Sequence, residues 1–395
     1  MAGLTGLFMG KIHHFEVIVV GVGAMGSSTC FELARRGVKV LGIEQFDIPH
    51  TLGSYHGFSR MIRLAYHEHP DYVPLLKRAY EKWDEIEKVS GNKLLYVTGG
   101  VYMGWRDGEL VSGALRASQL HHLEHDLIGR DELSSRYPQF ELPDDHVALL
   151  EPRAGFLLSE RATETYARQA QANGAEIHTR EIVESWSTSN AGVTVKTNRA
   201  EYHGDQIIFC GGAWSEKLTR DLGVKLVVTR QVLGWVVPPE PALFEMGKLP
   251  VWAIEHPAGG LWYGFPMMAE SHGFKIALHA KGEETDADRV NRNPTSADEE
   301  TFRSCLSQFI PRAGGPVNQM RICLYTNSPD SHFMIDRHPH QPRVLVACGF
   351  SGHGFKFASV VGEILADMAT KGKTDLPCEF ISLARFHTAK GDVSL

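Results

Sequence analysis

The stretch from Phe15 to Glu44, FEVIVVGVGAMGSSTCFELARRGVKVLGIE, decides the fold. Its first six residues are apolar and mostly β-branched, a pattern typical of a strand buried on both faces. A glycine-rich turn follows, then a helical segment that ends at Gly37, then a second buried strand that ends at Glu44. This order predicts a βαβ unit and therefore a parallel sheet.

The turn in this unit, residues 21–26, reads GVGAMG and has the GxGxxG spacing of a dinucleotide-binding motif. We expect Gly21 to permit the tight turn, Gly23 to let the backbone approach a pyrophosphate, and Gly26 to let helix and strand pack closely. Ala24 and Met25 begin the helix, whose free N–H groups would face the phosphates.

An acidic residue is expected at the end of the second strand, where it binds a ribose hydroxyl group. Glu44 stands there, 18 positions after Gly26. The motif does not distinguish NAD from FAD, but it lies close to the N-terminus and no second βαβ unit follows directly. FAD is therefore favoured, because α/β segments return near residues 160, 205 and 345 and can cover a long cofactor.

Composition narrows the classes of function. The chain has 395 residues, of which 43% are hydrophobic and 22% charged, an ordinary globular composition. The formal net charge of −7 argues against nucleic acid and anionic membranes as partners. The six cysteines are scattered without a CxxC pair, which favours a reduced cytoplasmic protein. The histidines form no ligand cluster, so no metal site is expected.

The elements along the chain predict an α/β protein with two interleaved domains. We expect a Rossmann-like domain with a parallel sheet from residues 1–88, 152–222 and 326–395. Residues 89–151 and 223–325 contain alternating short strands, such as LWYGF and FKIALHA, and predict a mainly antiparallel substrate domain.

Four further segments carry a resemblance to a known family: GSYHGFSRMIRLAYHEHPDYVPL, YGFPMMAESHGFKIALH, CLYTNSPDSHFMIDRHP and ACGFSGHGFKFA. With the glycine motif, they resemble the monomeric sarcosine oxidase and N-methyltryptophan oxidase family, among the amine-oxidizing flavoproteins related to D-amino-acid oxidase. The resemblance implies an FAD enzyme that oxidizes an N-methyl amino acid with O2 and water. The products would be the demethylated amino acid, formaldehyde and hydrogen peroxide, and the enzyme would be a monomer.

The resemblance also implies residues that hold the cofactor. Cys323 matches the thiolate that is linked covalently to the flavin, and Ser59 stands where the family often has threonine. Val183 matches a position whose backbone contacts the adenosine portion. The loop with Gly352 and Gly354 is expected to offer N–H groups to the flavin ring.

The catalytic and substrate-binding residues follow from the same resemblance. Lys275 matches the lysine that activates oxygen at the flavin face, and His279, on the same face of one strand, would line the substrate pocket. Arg60, one helical turn before Arg63, matches an arginine close to the flavin ring.

The substrate carboxylate needs fixed cations in a dry pocket, and the resemblance assigns this role to Arg63 and Lys356. Tyr263 and Tyr325 match aromatic residues of the active-site cavity. Met267 and Met268 are flexible side chains that would enlarge the pocket, so N-methyltryptophan and cyclic amino acids such as pipecolate remain open as substrates.

Other classes stay open at this stage. One is a noncovalent-FAD enzyme of the glycine oxidase or D-amino-acid dehydrogenase type, against which Cys323 and Lys275 argue. Another is a nicotinamide-dependent dehydrogenase, and a third is a flavin-binding module without catalysis.

Overall fold

The computed structural model describes residues 14–269, 271 and 273–387. Its strands are β1 His14–Val20, β2 Val40–Ile43, β3 Ser59–Ile62, β4 Leu95–Val97, β5 Gly100–Trp105, β6 Asp126–Gly129, β7 His146–Glu151, β8 Gly155–Leu158, β9 Glu176–His178, β10 Val183–Ser189, β11 Gly192–Thr197, β12 Glu201–Phe209, β13 Val227–Val236, β14 Val251–Glu255, β15 Leu261–Met268, β16 Gly273–His279, β17 Glu283–Glu284, β18 Val317–Asn327, β19 Met334–Arg337 and β20 Val344–Cys348. Its helices are α1 Ala24–Ala34, α2 Tyr72–Ser90, α3 Glu109–Leu120, α4 Arg130–Arg136, α5 Ser159–Ala172, α6 Ser215–Leu218, α7 Ser296–Phe309, α8 Ala358–Lys371 and α9 Ala384–His387.

The first sheet is built around the predicted βαβ unit. Its strand order is β10-β11-β12-β1-β2-β9, with β20 beside β12 and β19 beside β20. The pairs β1–β2, β1–β12, β2–β9 and β12–β20 are parallel. Strand β1 lies in the middle, where both faces are covered from Val17 onward, which explains why residues 17–20 read as an apolar run.

Helix α1 packs against this sheet and against α8 from the C-terminal part of the chain. A Cβ atom on Gly26 would lie 1.8 Å from the carbonyl oxygen of Gly21, so the turn accepts only glycine at position 26. On the other side of α1, the hydroxyl of Ser28 donates to the carbonyl of Ala358 over 2.6 Å. Helices α1 and α8, which are far apart in sequence, therefore pack against each other.

The second sheet is mainly antiparallel and has the order β17-β13-β16-β15-β14-β5-β7-β6, with β18 beside β13. Only the pair β5–β14 is parallel among the pairs recorded for this sheet in the described residues. A small third sheet, β3-β8-β4, joins residues 59–62 to residues 155–158.

This mixed architecture confirms the predicted fold class: a parallel-sheet unit interleaved in sequence with a mainly antiparallel one. The exact domain boundaries stay a prediction. Within the described residues, no helix combines the length and the apolar character that a membrane span needs.

Candidate active site

A cavity of about 440 Å³ lies at the carboxyl ends of β1, β2, β12 and β20, where open α/β sheets bind their ligands. Its walls include residues from both ends of the chain. Those named by the sequence analysis are Gly21, Gly23, Ala24, Met25, Glu44, Val183, Arg60, Tyr325, Gly352 and Gly354. Gly26 does not line the cavity, because its role is the close packing of the turn described above.

The glycine turn fits a dinucleotide. Gly21 has a φ of +89°, a conformation that glycine adopts without strain. A Cβ atom on Gly23 would make only ordinary contacts with the protein, 3.6 Å from the ring of Tyr55. Packing therefore does not require glycine at position 23, and its missing side chain leaves space on the cavity wall for a ligand.

Glu44 lies on the same wall and is fixed by backbone groups. Its carboxylate accepts hydrogen bonds from the N–H of Val22 at 2.8 Å and of Phe46 at 3.0 Å. Burial raises the pKa of Glu44 to about 7, although these N–H groups act to lower it. The carboxyl group is thus placed beside the glycine turn, where the ribose of a dinucleotide is expected.

Arg60, on the wall of this cavity, lies next to Cys323, which does not itself line the cavity. The Nη2 atom of Arg60 lies 3.5 Å from the Cys323 sulfur, and it also donates to the carbonyls of Ser54 at 2.8 Å and His56 at 2.6 Å. Cys323 is fully buried on β18, and its thiol donates to Ser54 at 3.4 Å. The sulfur is thus in contact with the guanidinium group of Arg60 and with the carbonyl of Ser54.

The spacing of Arg60 and Arg63 predicted that both lie on one helix, and this prediction is wrong. Residues 59–62 form strand β3, which pairs with β8. The helix interpretation was wrong because a spacing of three residues has no structural meaning without a longer apolar period. Arg60 nevertheless lines the large cavity and Arg63 a smaller one next to it.

Lys275 is buried on β16, with 1% of its surface exposed. Its ammonium group donates to the carbonyls of Gly57 and Ser59, both at 2.7 Å, and lies 3.3 Å from the Ser59 hydroxyl. Lys275 and Ser59 are absent from the walls of both cavities, so the structure places them behind the loop that carries Arg60. Burial, followed by the charge of Arg60, lowers the pKa of Lys275 well below its ordinary value.

The same loop is held from its other side by Glu160, which sequence reasoning missed. The Glu160 carboxylate accepts from the N–H of Gly57 at 2.6 Å and of Phe58 at 3.0 Å. Phe58 has a φ of +70°, an unusual conformation for a non-glycine residue. The loop therefore keeps this strained shape because both its N–H and its C=O groups have fixed partners.

The second cavity has a volume of about 70 Å³ and adjoins the first. Both cavities share the walls formed by Arg60, Tyr325, Gly352 and Phe355. A Cβ atom on Gly352 would lie 2.4 Å from the Tyr325 ring, so glycine is required where the two cavities meet. A ligand in the small cavity would therefore directly face a ligand in the large one.

Arg63 and Lys356 both line the small cavity. Arg63 donates to both carboxylate oxygens of Glu68, at 2.7 and 2.8 Å, and Lys356 donates to the carbonyl of His353 at 2.8 Å. Burial, then the charge of Arg63, lowers the pKa of Lys356 to about 7. Glu68 balances one of the two charges, and this partner was also missed by sequence reasoning.

His279 and the two predicted tyrosines complete the small cavity. The Nδ1 atom of His279 lies 3.2 Å from the hydroxyl of Tyr325, and Tyr263 lines the same wall. Burial lowers the pKa of His279 to about 4, so its ring is neutral near pH 7.

Met267 and Met268 do not enlarge this cavity. Met268 is buried in an apolar cluster with Phe265, and Met267 packs against another cluster that contains Phe244. Neither methionine is on the walls of the two cavities. The described residues contain no group of three or more His, Cys, Asp or Glu side chains that could hold a metal ion.

The parallel sheet and the glycine turn at the large cavity are those of a dinucleotide-binding protein. Residues 16–368 match the family model DAO, described as FAD dependent oxidoreductase. The match covers most of the chain, and the protein belongs to this family.

Individual relatives are similar over nearly their whole length. The chain is 41% identical over 377 residues to the monomeric sarcosine oxidase of Bacillus sp. (strain NS-129), covering 94% of this chain and 97% of that protein. It is 34% identical over 363 residues to the N-methyl-L-tryptophan oxidase of Salmonella heidelberg (strain SL476), covering 91% and 95%. These relatives support an FAD-dependent amine oxidoreductase.

Solved structures support the fold alone, because their sequences are more distant. NikD, an unusual amino acid oxidase essential for nikkomycin biosynthesis, has a TM-score of 0.82 at 21% identity, covering 94% of this chain and 97% of that chain. The L-proline dehydrogenase from P. horikoshii has a TM-score of 0.79 at 24% identity, covering 96% and 99%.

Proposed function

We propose that the protein oxidizes a small secondary amino acid of the N-methyl type, with sarcosine as the reference substrate. FAD would be attached covalently through Cys323, and O2 would be the final acceptor. The products would be the demethylated amino acid, formaldehyde and hydrogen peroxide. The enzyme would be a cytoplasmic monomer without nucleic acid or membrane partners.

The observation that carries the proposal is the pair Arg63 and Lys356 at the end of a cavity that opens onto the dinucleotide cavity. Two buried cations are costly unless an anion compensates them. Glu68 compensates one of them, which leaves one charge for a carboxylate ligand when Lys356 is protonated. An amino acid held there by its carboxylate would present its amine to the junction of the cavities.

Bound FAD supplies the acceptor for a hydride equivalent and passes the electrons to oxygen. The chain would supply the positioning. Arg63 and Lys356 would orient the carboxylate, while the neutral His279 and the hydroxyl of Tyr325 would offer polar contacts to the amine. No strong base is needed if the amine binds without its extra proton.

Lys275 would assist the step in which oxygen is reduced. Its three oxygen partners fix the ammonium group next to the loop of Arg60. In its protonated form, Lys275 would stabilise the negative charge that develops on oxygen in this low-dielectric region. Arg60 would position Cys323 for attachment, because its guanidinium group contacts the sulfur.

The test is a panel of amines with peroxide and formaldehyde detection on the purified enzyme. Sarcosine should yield formaldehyde and hydrogen peroxide in equal amounts. Glycine should yield no formaldehyde and should be oxidized much more slowly. Peroxide without formaldehyde, obtained with glycine or with D-amino acids as the preferred substrates, would instead identify an enzyme of the glycine oxidase or D-amino-acid type.

A further inference from the structure

The small cavity has an apolar side that the proposed reaction leaves without a role. It is formed by four aliphatic side chains, Met61, Leu110, Ala253 and Leu261. They come from β3, α3, β14 and β15, respectively. Leu110, Ala253 and Leu261 belong to one buried apolar cluster, and Met61 packs against it. Elements distant in sequence therefore build this side of the cavity together.

The other sides of the cavity already have partners for a substrate. The carboxylate would bind at the cationic end, between Arg63 and Lys356. The carbon to be oxidized must face the junction with the large cavity, where Tyr325 and Gly352 lie. The remaining substituent of an amino acid, its side chain, is then directed toward the apolar side formed by Leu110, Ala253 and Leu261.

The apolar side is held firmly by a buried carboxylate. Glu255, two residues after Ala253 on the same face of β14, accepts a hydrogen bond from the N–H of Glu109 at 2.6 Å. A Cβ atom on Gly108 would lie 2.0 Å from the Glu255 carboxylate, so the start of α3 is in direct contact with this strand. Leu110 is the next residue on α3, which fixes its distance from Ala253.

The volume of the cavity indicates which side chains fit. About 70 Å³ corresponds to about five to seven water-sized volumes, close to the number of non-hydrogen atoms in sarcosine. An amino acid with an indole or a leucine side chain would exceed this volume. Interiors are packed densely and do not yield readily to such an excess volume.

We propose that Leu110, with Ala253 and Leu261, limits the substrate to N-methyl amino acids whose side chain is hydrogen or methyl. This inference rests on the proposed function and narrows its substrate class. Leu110 decides the limit because it is the large aliphatic residue contributed by the helix.

The test compares kcat/KM for sarcosine, N-methylalanine, N-methylleucine and N-methyltryptophan. The kcat/KM of the wild-type enzyme should be about 100-fold or more higher for sarcosine than for N-methylleucine. One misfitting methylene group already lowers kcat/KM by about 10- to 200-fold, and the leucine side chain is larger than that. Leu110→Ala should reduce this preference by about tenfold or more. The control is Leu120→Ala on the same helix, where the side chain is 58% exposed, and its preference should not change.

Two further variants keep the test decisive if Leu110→Ala does not fold. Leu110→Val opens less space than Leu110→Ala and should lower the preference for sarcosine over N-methylleucine in the same direction. Flavin content and Tm verify that each variant is folded. Ala253→Val adds volume on the same side and should impair N-methylalanine more than sarcosine.

The outcomes separate this inference from the proposed function. If the wild-type enzyme oxidizes N-methyltryptophan as efficiently as sarcosine, the function stands and the size limit is wrong. If folded Leu110 variants keep the wild-type preference, Leu110 does not set the limit. If none of the four compounds yields peroxide, both proposals fall.

Discussion

The ammonium group of Lys275 lies 2.7 Å from the carbonyl oxygen of Gly57, and Glu160 binds the N–H of the same residue from the opposite side. The peptide groups around Gly57 are thereby fixed between a buried cation and a buried anion. Arg60, three residues later, reaches Cys323 from this loop. The position of the Arg60 guanidinium group thus depends on Lys275 and Glu160, although neither side chain is hydrogen-bonded to it among the described residues.

Replacing the buried lysine tests its proposed role with oxygen. In Lys275→Met, reduction of the flavin by sarcosine without oxygen should persist, whereas reoxidation by O2 should slow by about 10²- to 10³-fold, the usual cost of one stabilising group. Stopped-flow absorbance measures the two half-reactions separately. Lys281→Met, at an exposed position shortly after β16, is the control and should reoxidize normally. Normal reoxidation in Lys275→Met would refute the role.

Glu160 should stabilise the loop in a pH-dependent manner. Burial acts to raise its pKa, but the N–H groups of Gly57 and Phe58 outweigh burial and hold the pKa below 4.5. Because the pKa is lower in the folded state, the stabilisation is present above pH 4.5 and is lost as the pH falls through the folded pKa.

Glu160→Gln should therefore lower stability at pH 7 by about 1–3 kcal/mol, with a smaller loss near pH 4. Thermal unfolding at both pH values measures this. Glu164→Gln is the matched control, since Glu164 lies one turn later on α5 and pairs with Arg168 at the surface. An equal drop of Tm at both pH values would show that the charge of Glu160 is not involved.

Substrate-carboxylate binding should depend on pH through Lys356, whose pKa is about 7. Its ammonium form exists below that pH and is lost above it. The neighbouring His279 and Glu68 do not titrate in this range, since burial lowers the pKa of His279 to about 4 and that of Glu68 lies well below 4.5, held there chiefly by Arg63 against burial.

Methoxyacetate is a suitable probe because it has the carboxylate of sarcosine and no titrating amine. Its dissociation constant, followed by flavin absorbance, should rise by up to about tenfold per pH unit above pH 7. Lys356→Met should bind more weakly at pH 6 and show no such rise. The same rise in Lys356→Met would assign the titration to another group.

Covalent attachment has a direct test at Cys323. Acid precipitation of the wild-type protein should give a yellow pellet, while Cys323→Ser should release its flavin into the supernatant. Cys348→Ser is the control, because Cys348 lines the dinucleotide cavity at the end of β20 and no link to the flavin is expected there. A colourless pellet from the wild-type protein would refute the link through Cys323.

The fold was predictable where its signals are local. The βαβ unit from Phe15 to Glu44 needs only an apolar run, a glycine turn and an acidic residue in sequence. The order of the first sheet was not predictable, because β12 and β20 join it through contacts that no local pattern encodes.

The site shows the same division. Arg63 and Lys356 were assigned through the resemblance, and the structure places both on the wall of the small cavity. Glu160 and Glu255 were missed, since a single carboxylate near a helix start or a strand end usually marks an exposed position. Their partners are backbone N–H groups, which the side-chain sequence does not reveal. Lys275 was assigned through the resemblance, but only the structure shows that it lies behind the loop of Gly57.

The dinucleotide cavity combines Gly21, near the start of the chain, with Gly354, near its end. The segment around Gly354 is synthesised 333 residues after Gly21 (354 − 21). A truncated product keeps β1 and its glycines but lacks the opposite wall, so it has no complete site for the flavin. Binding of the flavin would therefore require that both segments have been synthesised and have folded together.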